Sequence, residues 1–173
     1  YANNQNLSDE EALKIGFKQA FVDIDQLLSE LEKTPDFRGK YLIMIGEDCH
    51  GGLSEIPYDQ SGFLRTEIYR KCHVIESSNR NTIDFWLGRS DKITKEELMD
   101  YFGGCKPCIR GSDPHSFDKF CKPNRNLFCW IKADPTFEGL KQIIYEPEER
   151  VRIQEDNPEP KKSIYTLSSV KIS

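Results

Sequence analysis

Three histidines occur in this 173-residue chain, and one of them, His115, stands two residues after Asp113 in the run GSDPHS. On an extended backbone, residues two apart point to the same side. A carboxylate and an imidazole so placed can offer an oxygen and a nitrogen to one hard or borderline cation. Pro114, between them, has no backbone N–H and suits the end of a strand better than its middle. The same residues also describe a polar turn, with Asp113 capping backbone amides and His115 at the surface; spacing alone favours the turn. A second cluster, GEDCHGG, gathers Glu47, Asp48 and His50. A third is Glu76, followed by Ser77, Ser78 and Asn79. Each has a bland counterpart. Glu47 and Asp48 read equally as solvated acids, His50 as one residue of a turn, Glu76 as an acceptor for nearby amides. His73, inside a strand-like run, reads as a packed or hydrogen-bonded imidazole.

The six cysteines offer a rival chemistry. Cys105 and Cys108 form a CxxC, but Cys121 and Cys129, eight residues apart, do not make the second tight pair of a structural zinc site. A redox CxxC belongs at the opening of a helix after a strand, and this one precedes a strand. The four read as mostly buried small residues. KPNRNLFCWIK mixes basic and aromatic residues, the one hint of a nucleic-acid contact; Phe128 and Trp130 alternate as in a strand, and core packing is their simpler use. No glycine-rich loop of the G-x-x-x-x-G-K-S/T kind is present, so ATP is not expected to bind this chain in that manner.

Several elements must position these groups. LSDEEALKIGFKQAFVDIDQLLSELEK opens with a capping box, Ser8 and Glu11. It continues with Leu13, Phe17, Ala20, Phe21, Ile24, Leu27, Leu28 and Leu31 at helical spacing. YLIMIG follows as an apolar run suited to a parallel strand covered on both faces. SGFLRTEIYR reads as a helix and His73 to Ile75 as the centre of a strand. TKEELMDYFGG is a helix capped by Thr94 and Glu97 and stopped by Gly103 and Gly104. CIRGSD and FCWIKAD are strands. Asp134 and Pro135 are read as N-cap and N1 of PTFEGLKQIIYE, which Pro147 closes, and RVRI is a last strand. Alternating helices and buried strands predict an α/β fold with parallel strands. In such folds functional groups collect at the carboxyl ends of the strands, which is where all three polar clusters fall.

The totals set bounds. The chain is long enough for one domain with a core. A net charge of −5 excludes a broadly basic nucleic-acid surface but not a local patch. No apolar run approaches the roughly 18 residues of a membrane span, no signal peptide is visible, and scattered cysteines point to a reducing, cytoplasmic setting. The start on YANNQNLSDEE and the end on PEPKKSIYTLSSVKIS are expected of a fragment of a longer polypeptide.

CIRGSDPHS, with VIESSN and the histidine of GEDCHGG upstream, resembles the latter half of a PHP domain (polymerase and histidinol phosphatase superfamily). That family's last motif is a strand-end G-S-D-x-H with metal-binding Asp and His. More narrowly, FCWIKADPTFEGLKQIIYEPEERVRI is similar to the segment joining a PHP-like domain to an AAA- or SMC-like ATPase in bacterial proteins of the TrlF type. The narrower likeness spans about residues 106 to 153, and the broader reaches back to about Gly39.

The resemblance implies a partial, distorted (β/α)7 barrel of alternating helices and parallel strands. It implies a bi- or trinuclear centre of a divalent metal, Zn or Mn, that hydrolyses phosphoesters in nucleic acid or nucleotide. Asp113 and His115 match the last motif directly and are the implied metal ligands. His50 matches the earlier histidine by position, as a ligand or acid/base group, although Gly51 follows it where the family has proline. Glu76 falls in the family's E-x-x-N strand, in a structural role. The family's opening H-x-H is absent, so it either precedes this chain or has been lost. Residues 1–153 would then be a PHP-like fragment, inactive alone. Residues 154–173 would be a linker to an ATPase domain, the partner in the same polypeptide and the place where ATP binds; nucleic acid is a further partner, and no membrane is involved. The alternative is an inactive scaffold or regulatory module for the ATPase. A small-molecule phosphatase of the histidinol-phosphate kind is the third reading.

Overall fold

The first helix starts where its cap dictates. In the computed structural model, which describes residues 8–19, 23–48, 52–112 and 114–158, the Glu11 N–H donates to Ser8 Oγ at 3.3 Å and the Ser8 N–H to Glu11 Oε2 at 3.0 Å. Helix α1 then runs Asp9–Gln19. The single helix expected to reach Lys33 is two, because Asp23 opens a new one. Its Oδ1 accepts from the amides of Asp25 and Gln26 at 2.9 and 3.0 Å, and its extended backbone (φ −72°, ψ 114°) interrupts helical geometry before α2, Ile24–Lys33. Of the expected apolar stripe, Ile24, Leu28 and Leu31 are half-buried, whereas Leu13 and Leu27 are exposed. Ala20 and Phe21 lie outside the described residues. Both helices belong to the first of two compact units, residues 1–41; residues 42–173 make the second.

The second unit is built on a parallel sheet of β1 (Met44–Gly46), β2 (Val74–Glu76) and β3 (Cys108–Ile109), in the order β1-β2-β3. Parallel neighbours need a long crossover. Helix α3 (Tyr58–Lys71) supplies the first, and α4 (Arg80–Trp86) with α5 (Lys95–Phe102) supplies the second. The two faces of β2 are covered by different clusters. Val74 packs with Ile143 and Val151, while Ile75 packs with Leu53, Tyr69, Trp86 and Leu98. Burying side chains of this size contributes about 1.5–3 kcal/mol each. Full coverage, expected for the YLIMIG run, belongs instead to β2; β1 is an edge strand and its Met44 is 51% exposed. Helix α5 has both predicted ends. Thr94 and Glu97 bond reciprocally, and Gly103 (φ +79°) closes the last turn with its N–H on Met99 O at 3.1 Å.

The expectation that all strands run parallel fails at the end of the chain. Strands β4 (Phe128–Ile131) and β5 (Val151–Gln154) form a separate antiparallel pair, with Phe128 opposite Gln154 and Ile131 opposite Val151. The segment between them holds only short helices, α6 (Phe137–Lys141) and α7 (Pro147–Arg150), so the chain folds back rather than crossing over. Thr136, not Asp134, caps α6: its Oγ1 accepts from the Gly139 N–H at 3.0 Å. Asp134 instead closes a tight turn, its carbonyl accepting from the Thr136 N–H at 2.7 Å. Pro147 does not end a helix but starts α7, where its missing N–H is harmless. Phe128 is exposed and Trp130 half-buried, so neither is a core residue; Trp130 Nε1–H donates to Gln154 O at 3.1 Å. The described residues thus make a mixed α/β fold with a three-stranded parallel sheet. Among them no helix is long and apolar enough to cross a membrane.

Candidate functional site at the strand ends

Because β1, β2 and β3 are parallel neighbours, their carboxyl ends share one edge of the sheet. The ladder continues one residue past that edge. The Glu47 N–H donates to Glu76 O, and the Ser77 N–H to Ile109 O, both at 3.1 Å. Glu47 and Asp48 therefore leave β1 beside Ser77, which leaves β2, and Arg110 to Ser112 leave β3 on its far side.

Glu47 turns inward. The Tyr69 hydroxyl donates to Glu47 Oε2, and Arg65 Nη2 donates to the Tyr69 hydroxyl at 3.2 Å while standing 3.9 Å from Glu47 Oε1. Arg65 and Tyr69 are four residues apart on α3, the spacing that stacks two side chains on one helix face, and the guanidinium lies 5.8 Å from the ring centroid. Burial pushes the Glu47 carboxyl up, opposed by the Tyr69 hydroxyl and by Arg65. Burial also pushes the Tyr69 phenol up, and its bond to Glu47 adds to the effect. The ring of Tyr69 sits 4.9 Å from Trp86 and 5.8 Å from Phe102, which fixes the hydroxyl in place.

Asp48 turns the other way, toward β2 and α4. Ser77, fully buried, donates its hydroxyl to Asp48 Oδ2, and the Thr82 hydroxyl donates to Oδ1 at 3.2 Å. Ser77 Oγ in turn accepts from the Asn79 N–H at 3.0 Å, and Asn79 caps α4 through the Asn81 amide. A cleft of about 810 Å3 opens at this edge, lined by Glu47, Arg65, Thr82, Arg89 and Lys92 over a floor of aromatic rings. Arg89 is anchored from outside, donating through Nε and Nη2 to Glu148 Oε1 at 3.0 and 2.9 Å.

Comparison of the chain with models of known protein families, with curated proteins and with solved structures finds no match.

Of the three residues expected to hold metal, His50 and Asp113 lie outside the described residues. His115 is exposed, in a bend six residues past the end of β3. Among the described residues no three of His, Cys, Asp and Glu are grouped to hold a metal ion. Glu47 and Asp48 add carboxylates of the right donor type at the edge, each already held by protein donors. His73 is not at the edge: its Nδ1 accepts from the Ile43 N–H at 2.9 Å, as a hydrogen-bonded imidazole at the start of the strand pair. Glu76 pairs with Gly46 and Ile109 in the ladder. Cys108 is buried and Cys105 and Cys129 half-buried, but Cys121 is exposed, against the expectation of burial. Burial pushes the Cys108 thiol up to about 12, far from a thiolate ligand or nucleophile. Sequence reasoning missed Arg65, Tyr69 and Thr82. The four-residue step from Arg65 to Tyr69 was the available signal, but nothing local pointed it at Glu47, 22 residues upstream of Tyr69.

Proposed function

We propose that this chain is the C-terminal portion of a PHP-type, metal-dependent phosphoesterase domain from a larger, ATPase-fused protein, acting on phosphoesters of nucleic acid or nucleotide. One observation carries the reading. Three neighbouring parallel strands end on one edge, and the segments that follow them are the three that hold the acid, hydroxyl and imidazole groups. In open α/β sheets that edge is where ligands bind. The metal, Zn or Mn, would be held by Asp113, His115 and His50. When bound, such an ion polarises the phosphoryl group and makes hydroxide available near neutral pH.

The chain's own residues supply the rest. Arg65 and Lys92 face the cleft with positive charge, suited to a phosphoryl oxygen. Glu47, raised by burial and bonded to Tyr69, is placed to hold or release a proton at the same wall. Asp48 is fixed by the hydroxyls of Ser77 and Thr82.

The test loads the chain with Zn or Mn and measures bound metal by mass spectrometry, beside Asp113→Ala and His115→Ala. Stoichiometric metal lost in both variants is expected. In the longer protein, His50→Ala should then lower kcat for a chromogenic phosphodiester by roughly 10²–10⁴-fold, as removal of an acid/base group does. Metal uptake that ignores both substitutions would sink the ligand assignment.

A further inference from the structure

Phe117 is 96% exposed and Phe120 is 61% exposed. Two phenylalanines so placed in one short loop are unusual for a water-soluble surface, and apolar exposure of this kind marks contact sites. The rings lie nearly parallel, at 17°, with centroids 6.4 Å apart, within the range of offset-stacked pairs. Lys119 lies between them in sequence, and Lys122 and Arg125 follow within five residues, all exposed, against the single carboxylate of Asp118 in this stretch. In a chain of net charge −5 this is a local reversal of sign. The backbone is held in an unusual shape as well: Cys121 and Arg125 take left-handed φ values of 58° and 59°, conformations that persist where a loop has a function to keep.

We propose that Phe117 and Phe120, with Lys119, Lys122 and Arg125, form a stacking platform for single-stranded nucleic acid. Bases offer π-faces to exposed rings irrespective of sequence, and phosphates between them meet the lysines and arginine. A duplex hides its base faces and cannot use the rings. Phe117 follows His115 by two residues, so their Cα atoms are within about 7 Å, and a strand stacked on the platform passes beside one of the proposed metal ligands. The platform names the substrate class of the phosphoesterase reading, and its role in delivering substrate rests on that reading.

The test is fluorescence anisotropy with labelled twelve-residue oligo-dT and oligo-rU, single-stranded and as duplexes, in EDTA so that no hydrolysis enters. Single strands of either sugar should bind and duplexes should bind more weakly. Phe117→Ala/Phe120→Ala should weaken single-strand binding on the order of tenfold or more. Lys119→Ala/Lys122→Ala should flatten the slope of log K against log salt by about 1.4 for the two lysines. These side chains are exposed, and circular dichroism checks that the variants keep the fold. Equal binding of duplex and single strand, or wild-type affinity in the double phenylalanine variant, would overturn the proposal. So would absence of binding at low salt together with a dimer that the same variant converts to monomer, which would make the rings a self-association surface. Loss of this binding leaves metal uptake by Asp113 and His115 standing, so the two readings fail separately.

Discussion

The Ile43 N–H donates to His73 Nδ1 at 2.9 Å, while the His73 and Val74 amides return to Ile43 O at 2.8 and 3.1 Å. The imidazole is therefore neutral, with its proton on Nε2, and it stitches the approach to β1 onto β2. Burial first, and the Lys106 charge second, hold its pKa below the ordinary value of 6.5. The folded state thus binds this proton less readily than the unfolded one. The stabilisation is complete above pH 6.5 and is lost as pH falls through 6.5 toward the depressed folded value. His73→Ala leaves the Ile43 donor unsatisfied and should cost about 1–3 kcal/mol at pH 8. The decisive reading is the gap between wild type and variant in urea midpoints from pH 8 to 5, which should narrow on the acid side. A gap that stays constant would mean that protonation does not break the bond. Glu47 shows the opposite direction, its raised carboxyl favouring the fold below about the usual carboxylate pKa and less so above it. One sheet thus holds two groups whose pH dependences oppose each other.

Elements in this chain begin and end where caps and glycines make them. Gly88, after α4, has φ +63°, and an added Cβ would meet Lys95 Cγ at 2.6 Å and Lys95 N at 3.2 Å. Gly103 has φ +79° and open space, and Gly111 has open space at an ordinary φ. Substitution to alanine should therefore be graded: near zero at Gly111, about 1–2 kcal/mol at Gly103 from the left-handed backbone alone, and more at Gly88. Thermal or urea unfolding of the three variants checks the order, and Gly88 at or below Gly103 would refute it. Local signals of this kind are legible in a sequence. Ser8 with Glu11, Thr94 with Glu97, and Gly103 with Gly104 act within a few residues, so their roles could be read from spacing. Asp23 was readable in type but hidden inside a longer apolar period. The direction of β4 against β5 is set by pairing between residues twenty or more apart, and a four-residue run of FCWI carries no mark of it. The site divides in the same way. Glu47, Asp48 and Ser77 could be placed at strand ends from the run of apolar residues before them. Arg65 and Tyr69 could not be joined to Glu47, because that contact depends on how α3 returns over the sheet.

At the scale of the whole molecule, burial is concentrated in one unit. Every member of both hydrophobic clusters, from Leu42 to Ile153, lies in residues 42–173, and helix α2 of the first unit fully buries none of its residues. A chain of that length can bury a core of its own. Within this unit the elements are tied by charge as well as by packing. Glu148 on α7 receives Lys95 at 2.8 Å and Arg89 at 2.9 Å; their hydrogen bonds, Lys95 first, hold its carboxyl down at about 2. These groups are substantially exposed, so the tie contributes at most about 1 kcal/mol and positions Arg89 at the cleft more than it stabilises the fold. Packing must carry the stability. Residues 42–173 expressed alone should therefore unfold in one cooperative transition, with Tm within about 4 °C of the full chain, the shift that ~1 kcal/mol makes at this size. Differential scanning calorimetry on both chains reads it directly. A cooperative transition in the shorter chain would place the strand-end cleft and the Phe117–Phe120 platform in a self-sufficient unit and allow their binding tests to be run on it. A broad, non-cooperative melt would show that residues 1–41 contribute to the same folding unit, although α2 fully buries none of its residues.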